Sequence, residues 1–262
     1  MPAPEPVLSA TILLVRDGAR GLEVFMVQRH HQIDFATGAM VFPGGKLEPG
    51  DRAPALRART RGCEGLSDPD LALRAGAIRE TFEEARVLLA RRRGNADLLT
   101  GAEVLALEER HRAALDAHEI AIDALAERED LELACDALVP FAHWITPVFM
   151  PKRFDTWFFL MAAPPDQVAV HDGHESVDSV WIRPQDAVAE ADAGRRTIIF
   201  PTLLNVKKLG RSATVAEAIA AARGAPVVTV LPTVADTERG RMMRIPAEAG
   251  YDVSEAPLEG LP

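Results

Sequence analysis

Two apolar runs open the chain, residues 8–16 and 22–29, with Asp17-Gly18-Ala19-Arg20-Gly21 between them. Turn residues between strand-like runs predict a β-hairpin with a loop long enough for a bulge. Residues 1–6 read as a Pro-rich tail and 30–39 as a polar loop. Met40-Val41-Phe42 is a short strand that stops at Pro43-Gly44-Gly45. Residues 49–70 mix Pro, Gly, Arg and Asp without periodicity, which predicts a long loop. Residues 71 to about 90 contain no Pro. There Ala77, Ile78, Thr81, Phe82, Ala85 and Leu88 mark one face of a partly buried helix.

Residues 95–135 change character. They are rich in Ala, Leu and Glu, with apolar positions at Val104, Leu107, Ala114, Ile120 and Leu125. This predicts one or two amphipathic helices, and unsustained heptads argue against a coiled coil. Strand-like runs resume at 144–150, 155–162 and 179–182. A short helix with Pro in its first turn is expected over 184–191. Further helices are expected over 202–209 and 215–223, and a last strand over 227–231. Strands mixed with separated helices indicate an α+β fold rather than a regular βαβ array. At about 150 residues per domain, 262 residues suggest one domain with additions.

Composition narrows the function classes. Two cysteines, Cys63 and Cys135, allow one disulfide at most, which excludes a disulfide scaffold and a four-cysteine zinc site. The net charge of −10 argues against general nucleic-acid binding, which depends on neutralising phosphates. The uncharged stretch 137–151 carries three prolines and falls short of the roughly 20 apolar residues of a membrane span. No basic leader precedes the apolar run at 7–15, and the last four residues match no targeting address. The expected compartment is therefore the cytoplasm, with neither nucleic acid nor membrane as partner.

The chemistry lies in Gly45-Lys46-Leu47-Glu48-Pro49-Gly50-Asp51 and, later, Arg79-Glu80-Thr81-Phe82-Glu83-Glu84. On a helix, Glu80, Glu83 and Glu84 fall within an arc of roughly 100°. Three like charges at that spacing repel unless a cation joins them. Hard divalent cations prefer oxygen ligands, so the trio makes sense as a Mg²⁺ or Mn²⁺ site completed by a phosphorylated substrate. The plainer reading is a solvated acidic helix face. Against it stand the apolar opposite face, the preceding Gly-Gly turn and the adjoining Arg79.

These residues resemble the Nudix hydrolase box, G-x5-E-x7-R-E-U-x-E-E-x-G-U with U a bulky apolar residue. Gly45 opens it, residues 79–84 supply its core, and Phe42-Pro43-Gly44-Gly45 upstream is also typical. Four departures stand out. Asp51 replaces a Glu, 27 residues rather than seven separate it from Arg79, Thr81 replaces an apolar residue, and Arg86 replaces the late glycine. Either the helix runs on past Arg86 or Arg86 adopts the left-handed conformation.

The resemblance implies an αβα sandwich with a mixed sheet, spanning residues 1–262 as one domain. Insertions would lie at about 52–72 within the box and about 91–138, with a C-terminal extension from about 206. It implies metal-dependent hydrolysis of a small-molecule diphosphate. Glu80, Glu83, Glu84 and the Gly44 carbonyl would bind Mg²⁺ or Mn²⁺, Arg79 would orient the glutamates, and Glu83, Glu84 or Glu175 would activate water. Asp178 is a weaker alternative to Glu175. The split box, His143-Trp144-Ile145-Thr146-Pro147 and Arg153-Phe154-Asp155-Thr156 resemble the branch holding the peroxisomal CoA diphosphatases. Arg29, Gly38 and residues 42–45 match the upstream pattern of CoA-cleaving members, whereas Val27, His30 and Asp34 do not.

The substrate expected from this branch is CoA or acyl-CoA, with Arg29, Gly45, Lys46 and Arg52 as binding candidates. Alternatives are ADP-ribose, a dinucleotide or a nucleotide sugar, or an idle domain that senses a ligand or binds a protein. Arg57, Arg59 and Arg61 could contact phosphates or simply balance an acidic protein. His30, His31, His171 and His174 match no common zinc spacing. Phe154, Trp157 and Phe158 are expected in the core rather than in a base-stacking platform. The helical insertion could serve a homodimer interface or cover the site.

Overall fold

The computed structural model describes residues 3–29, 38–117, 119–171, 173, 176–238 and 240–257. The expected hairpin is present as β1 (Val7–Gly18) and β2 (Gly21–Arg29). Its turn is tighter than the five-residue loop anticipated, because pairing continues to Gly18 opposite Gly21. β3 (Met40–Val41) pairs with β2, and β4 (Gly44–Lys46) pairs with β1. Glycine is a poor strand former, so β4 was not anticipated. Here it permits a close approach, since a Cβ on Gly44 would collide with Thr11.

Residues 49–70 are more ordered than the expected loop. Two 3₁₀ turns, Pro49–Arg52 and Pro54–Arg59, each begin at a proline whose fixed φ suits a first turn. α1 then spans Asp68–Ala85. It starts earlier than expected because the Ser67 hydroxyl caps it, accepting the Asp70 N–H at 3.3 Å. It ends earlier too, since Arg86 takes the left-handed conformation (φ 57°, ψ 23°) and its N–H caps the Phe82 carbonyl at 3.0 Å. That choice costs on the order of 1 kcal/mol for a residue with a Cβ.

The next segment holds β5 (Ala90–Arg92), α2 (Gly101–Asp116), α3 (Ile122–Arg128) and β6 (Leu131–Leu133). The two helices were expected; the antiparallel β5–β6 ribbon was not. α2 starts on a capping box in which Thr100 and Glu103 satisfy each other's backbone N–H.

β7 occupies Val139–Ile145 rather than 144–150. Pro147 and Pro151 stop the later register, while Pro140 is accommodated at an irregularity in the β7–β8 pairing. β8 (Phe154–Ala162), β9 (Ser176–Ile182), α4 (Pro184–Asp192), α5 (Phe200–Leu209) and α6 (Val215–Gly224) follow close to expectation. β10 (Thr229–Val230) is shorter than the run at 227–231. Beyond it, β11 (Thr233–Thr237), β12 (Gly240–Arg244) and β13 (Glu255–Pro257) form a small antiparallel sheet that the pattern did not reveal.

The main sheet runs β10-β7-β8-β1-β2-β3, with β4 also paired to β1 and β9 to β2. β1–β8 and β7–β10 are parallel and the other pairs antiparallel, so the sheet is mixed. Side chains alternate between its faces. Ile12, Leu14, Phe25 and Val27 pack with Ile78 and Phe82 of α1 on one side. Leu13, Val15, Val24 and Met26 pack with Leu204, Leu209 and Ala218 of α5 and α6 on the other. The result is helix, sheet and helix in three layers, with α1 pressed onto β1 and β4. Among the described residues no helix is long and apolar enough to cross a membrane.

Candidate active site

The site is assembled where the last turns of α1 meet β4. Arg79 is its hub, with 3% of its side chain exposed beside an Asp51 side chain with none exposed. Its Nε donates to Asp51 Oδ1 at 3.0 Å and its Nη2 to Asp51 Oδ2 at 3.1 Å. Nη1 donates to Glu83 Oε2 at 2.8 Å, and Nη2 also reaches the Lys46 carbonyl at 2.8 Å and Glu80 Oε1 at 2.9 Å. One rigid guanidinium thus ties the 3₁₀ turn, β4 and α1 together, a use for which its planar fork is suited.

The shorter Asp51 reaches Arg79 because its own turn holds it in place. The Glu48 N–H donates to Asp51 Oδ2 at 2.8 Å in a capping box around that turn. The 20 extra residues of the insertion therefore leave this pair in contact.

Glu84 is held differently. The Gly44 N–H donates to its Oε2 at 2.9 Å. Glu80 faces Gly45, where a Cβ would stand 2.5 Å from Glu80 Oε1. Only glycine lets the β4 backbone come this near the carboxylate. Thr81, which replaces an apolar residue, is fully buried and donates its hydroxyl to the Ala77 carbonyl at 2.8 Å. Its polar atom is thereby satisfied within α1.

Burial alone would push Arg79 down, but the charges of Glu80, Asp51 and Glu83 outweigh it and hold the guanidinium above its ordinary value. Burial pushes Asp51 up against the lowering effect of Arg79 and the Glu48 N–H. Burial likewise pushes Glu83 up, with Arg79 opposing.

The donor set is made of oxygens: three carboxylates on one helix face beside a glycine backbone. That chemistry fits a hard divalent cation. Among the described residues no three acidic, His or Cys side chains already converge as a cation cage. In this structure the carboxylates are engaged by Arg79 and Gly44.

A family model described as the NUDT19 Nudix domain matches residues 51–209. The chain belongs to the Nudix family. It is 27% identical to the acyl-coenzyme A diphosphatase NUDT19 of Homo sapiens, over 76% of this chain and 63% of that protein. Identity to the same-named protein of Xenopus laevis is 23%, over 74% and 61%. The chain thus spans about three fifths of the length of these relatives. Among solved structures, a NUDIX hydrolase from Alicyclobacillus acidocaldarius superposes with a TM-score of 0.68 at 27% identity, covering 82% of this chain and 96% of that one.

Within this Nudix chain the other candidates are scattered. Arg29 ends β2, on the strand face that carries Phe25 and Val27, and its Nε is buried with no hydrogen-bond partner among the described residues. Lys46 contributes its carbonyl to Arg79, while its side chain is exposed. Arg52 follows Asp51 and lines with it a groove at the start of α1, together with Arg57, Asp68 and Leu71. Arg57, Arg59 and Arg61 pair with Asp68, Asp130 and Glu132, tying the box insertion to α1 and to the helical insertion. Asp178 is exposed on β9, with Oδ1 accepting the Ser179 N–H at 2.9 Å. His171 bonds Ser179 through Nδ1 at 3.0 Å. Glu175, His30, His31, His174 and Asp34 lie outside the described residues.

One residue at the site had no signal in the sequence. Arg112 of α2 donates to the Glu83 carbonyl at 2.9 Å and to the Phe82 carbonyl at 3.4 Å. It places a cation on the C-terminal carbonyls of α1, where the helix dipole favours one. α2 thereby buttresses the turn that carries Glu83 and Glu84.

Proposed function

We propose that this chain is a divalent-metal-dependent diphosphate hydrolase whose substrate is CoA or an acyl-CoA. The observation that carries the reading is the glutamate trio of α1, held against the Gly44-Gly45 backbone by Arg79 and by the Gly44 N–H. Support for CoA comes from the relatives named acyl-coenzyme A diphosphatase and from Arg29, Gly38 and residues 42–45.

Glu80, Glu83 and Glu84 would hold the ion, with the Gly44 carbonyl as a further oxygen. When bound, such an ion supplies Lewis acidity at phosphoryl oxygens and lowers the pKa of water. Arg79 keeps Glu80 and Glu83 pointing the same way despite their repulsion. The Gly44 N–H fixes Glu84 from the strand side. Glu83, with 24% of its side chain exposed against 13% for Glu80, is the more open to solvent of the two on Arg79 and would accept a proton from the attacking water.

The test is Glu83→Gln, assayed with CoA, acyl-CoA and ADP-ribose in Mg²⁺ or Mn²⁺. The wild type should cleave CoA to 3′,5′-ADP and a phosphopantetheine. The variant should melt within a few degrees of wild type and lose at least about 100-fold in turnover, the scale on which general-base catalysis operates. Undiminished turnover would overturn the mechanism. Cleavage of ADP-ribose but not CoA would overturn the substrate and leave the hydrolase.

A further inference from the structure

A cavity of about 250 Å³ lies on the face of the sheet opposite α1, floored by Phe141, Leu209 and Ala218. Ala221 and Ala222 of α6 extend its apolar wall. α5 brings Lys208 to the same wall, and Arg211 and Ser212 follow just past the helix end. Glu248 stands exposed at the rim.

Lys208 is the unusual group. Its Nζ donates to the Phe141 carbonyl at 3.2 Å and lies 5.0 and 5.3 Å from the ring centres of Phe141 and Tyr251. Among the described residues no carboxylate comes within ion-pair distance of it. Arg211, by contrast, is engaged by Asp252 at 2.6 Å and by the Gly250 carbonyl at 2.7 Å. Burial, and then the charge of Arg211, push Lys208 below its ordinary value. A partly desolvated cation without a counter-ion is unfavourable beside an apolar wall, and an anion arriving there would relieve it. The cavity is smaller than the roughly 300 Å³ at which drug-sized sites begin, so its occupant is short.

We propose that this cavity is a second ligand site, for an aliphatic monocarboxylate of about six to eight carbons, with its carboxylate on Lys208 and its tail between α6 and Phe141. The proposal is independent of the diphosphatase reading, since the glutamates lie on the other side of the sheet.

The experiment is isothermal titration of the full chain with octanoate, hexanoate, octanol and octylammonium. Octanoate should bind one per chain. Hexanoate should bind about 15-fold more weakly, at roughly fourfold per methylene. Octanol and octylammonium should bind at least about tenfold more weakly than octanoate, the loss of one charge-assisted contact. Lys208→Met should abolish the preference for octanoate over octanol, and Ala221→Leu, which fills the cavity from an exposed position, should weaken all aliphatic probes. Equal binding of octanol and octanoate, many octanoates per chain, or an unaltered preference in Lys208→Met would each overturn the proposal. Should Lys208→Met fail to fold, undiminished octanoate binding by Ala221→Leu would do the same.

Discussion

Arg79→Met isolates the hub of the site. The substitution keeps an unbranched side chain but removes every donor that Asp51, Glu83, Glu80 and the Lys46 carbonyl share. Glu80 and Glu83 are partly exposed and can turn towards water. The Asp51 side chain has no exposure and retains only the Glu48 N–H among its hydrogen bonds described here. Removing one partner of a buried ion pair costs about 3–5 kcal/mol. At about 2–4 °C per kcal/mol for a chain of this size, the melting temperature should fall by about 6–20 °C. The effect has a pH signature. Burial already raises Asp51, and losing Arg79 raises it further. A carboxyl whose folded-state pKa exceeds its unfolded value stabilises the fold below the unfolded value. That contribution is lost as pH rises through the folded one. The deficit of the variant should therefore narrow as pH falls from about 7 towards about 4. Thermal melts followed by circular dichroism across that range would test both parts. A melting temperature within about 2 °C of wild type at neutral pH, or a deficit that does not change with pH, would refute the reasoning.

Gly45→Ala should leave the fold intact, because the atoms nearest the new Cβ are the end of the Glu80 side chain rather than backbone. Displacing that carboxylate should lower turnover by about tenfold or more, and unchanged kinetics with CoA would show that Glu80 has room to spare. Arg86→Gly should raise stability by up to about 1 kcal/mol, since glycine accepts the left-handed conformation at the end of α1 without strain but gives back some unfolded-chain entropy. Urea titration would read this, and a lower midpoint would mean that the Arg86 side chain supports the fold by more than its backbone costs.

What was legible in the sequence depended on the range of the interaction. The glutamate trio could be placed on one face because helix spacing is local arithmetic over Glu80, Glu83 and Glu84. Arg86 was visible as a departure for the same reason, but the pattern allowed two outcomes. The continued apolar run, Val87-Leu88-Leu89, argued for a longer helix, and its burial beyond α1 decided for a break. β4 was illegible because its glycines serve an approach to Thr11 and Glu80, which no strand propensity encodes. β5, β6 and β13, at three residues each, are too short to show a period, and the five-residue β11 and β12 do not alternate apolar with polar positions. Arg112 could not be found, since it joins α2 to α1 across 29 positions with no spacing to mark it.

The departures from the Nudix box find their explanations in neighbouring backbone rather than in the carboxylates. Asp51 lacks one methylene of Glu, and the Glu48 N–H and the 3₁₀ turn at Pro49–Arg52 bring it to Arg79 all the same. Thr81 returns its hydroxyl to α1, so its fully buried position tolerates a polar atom. The insertion after Asp51 is closed by ion pairs to Asp68, Asp130 and Glu132, and its ends return to the same hub. None of these compensations draws on Glu80, Glu83 or Glu84. That separation lets the box lengthen and vary while the glutamate face of α1 keeps its geometry.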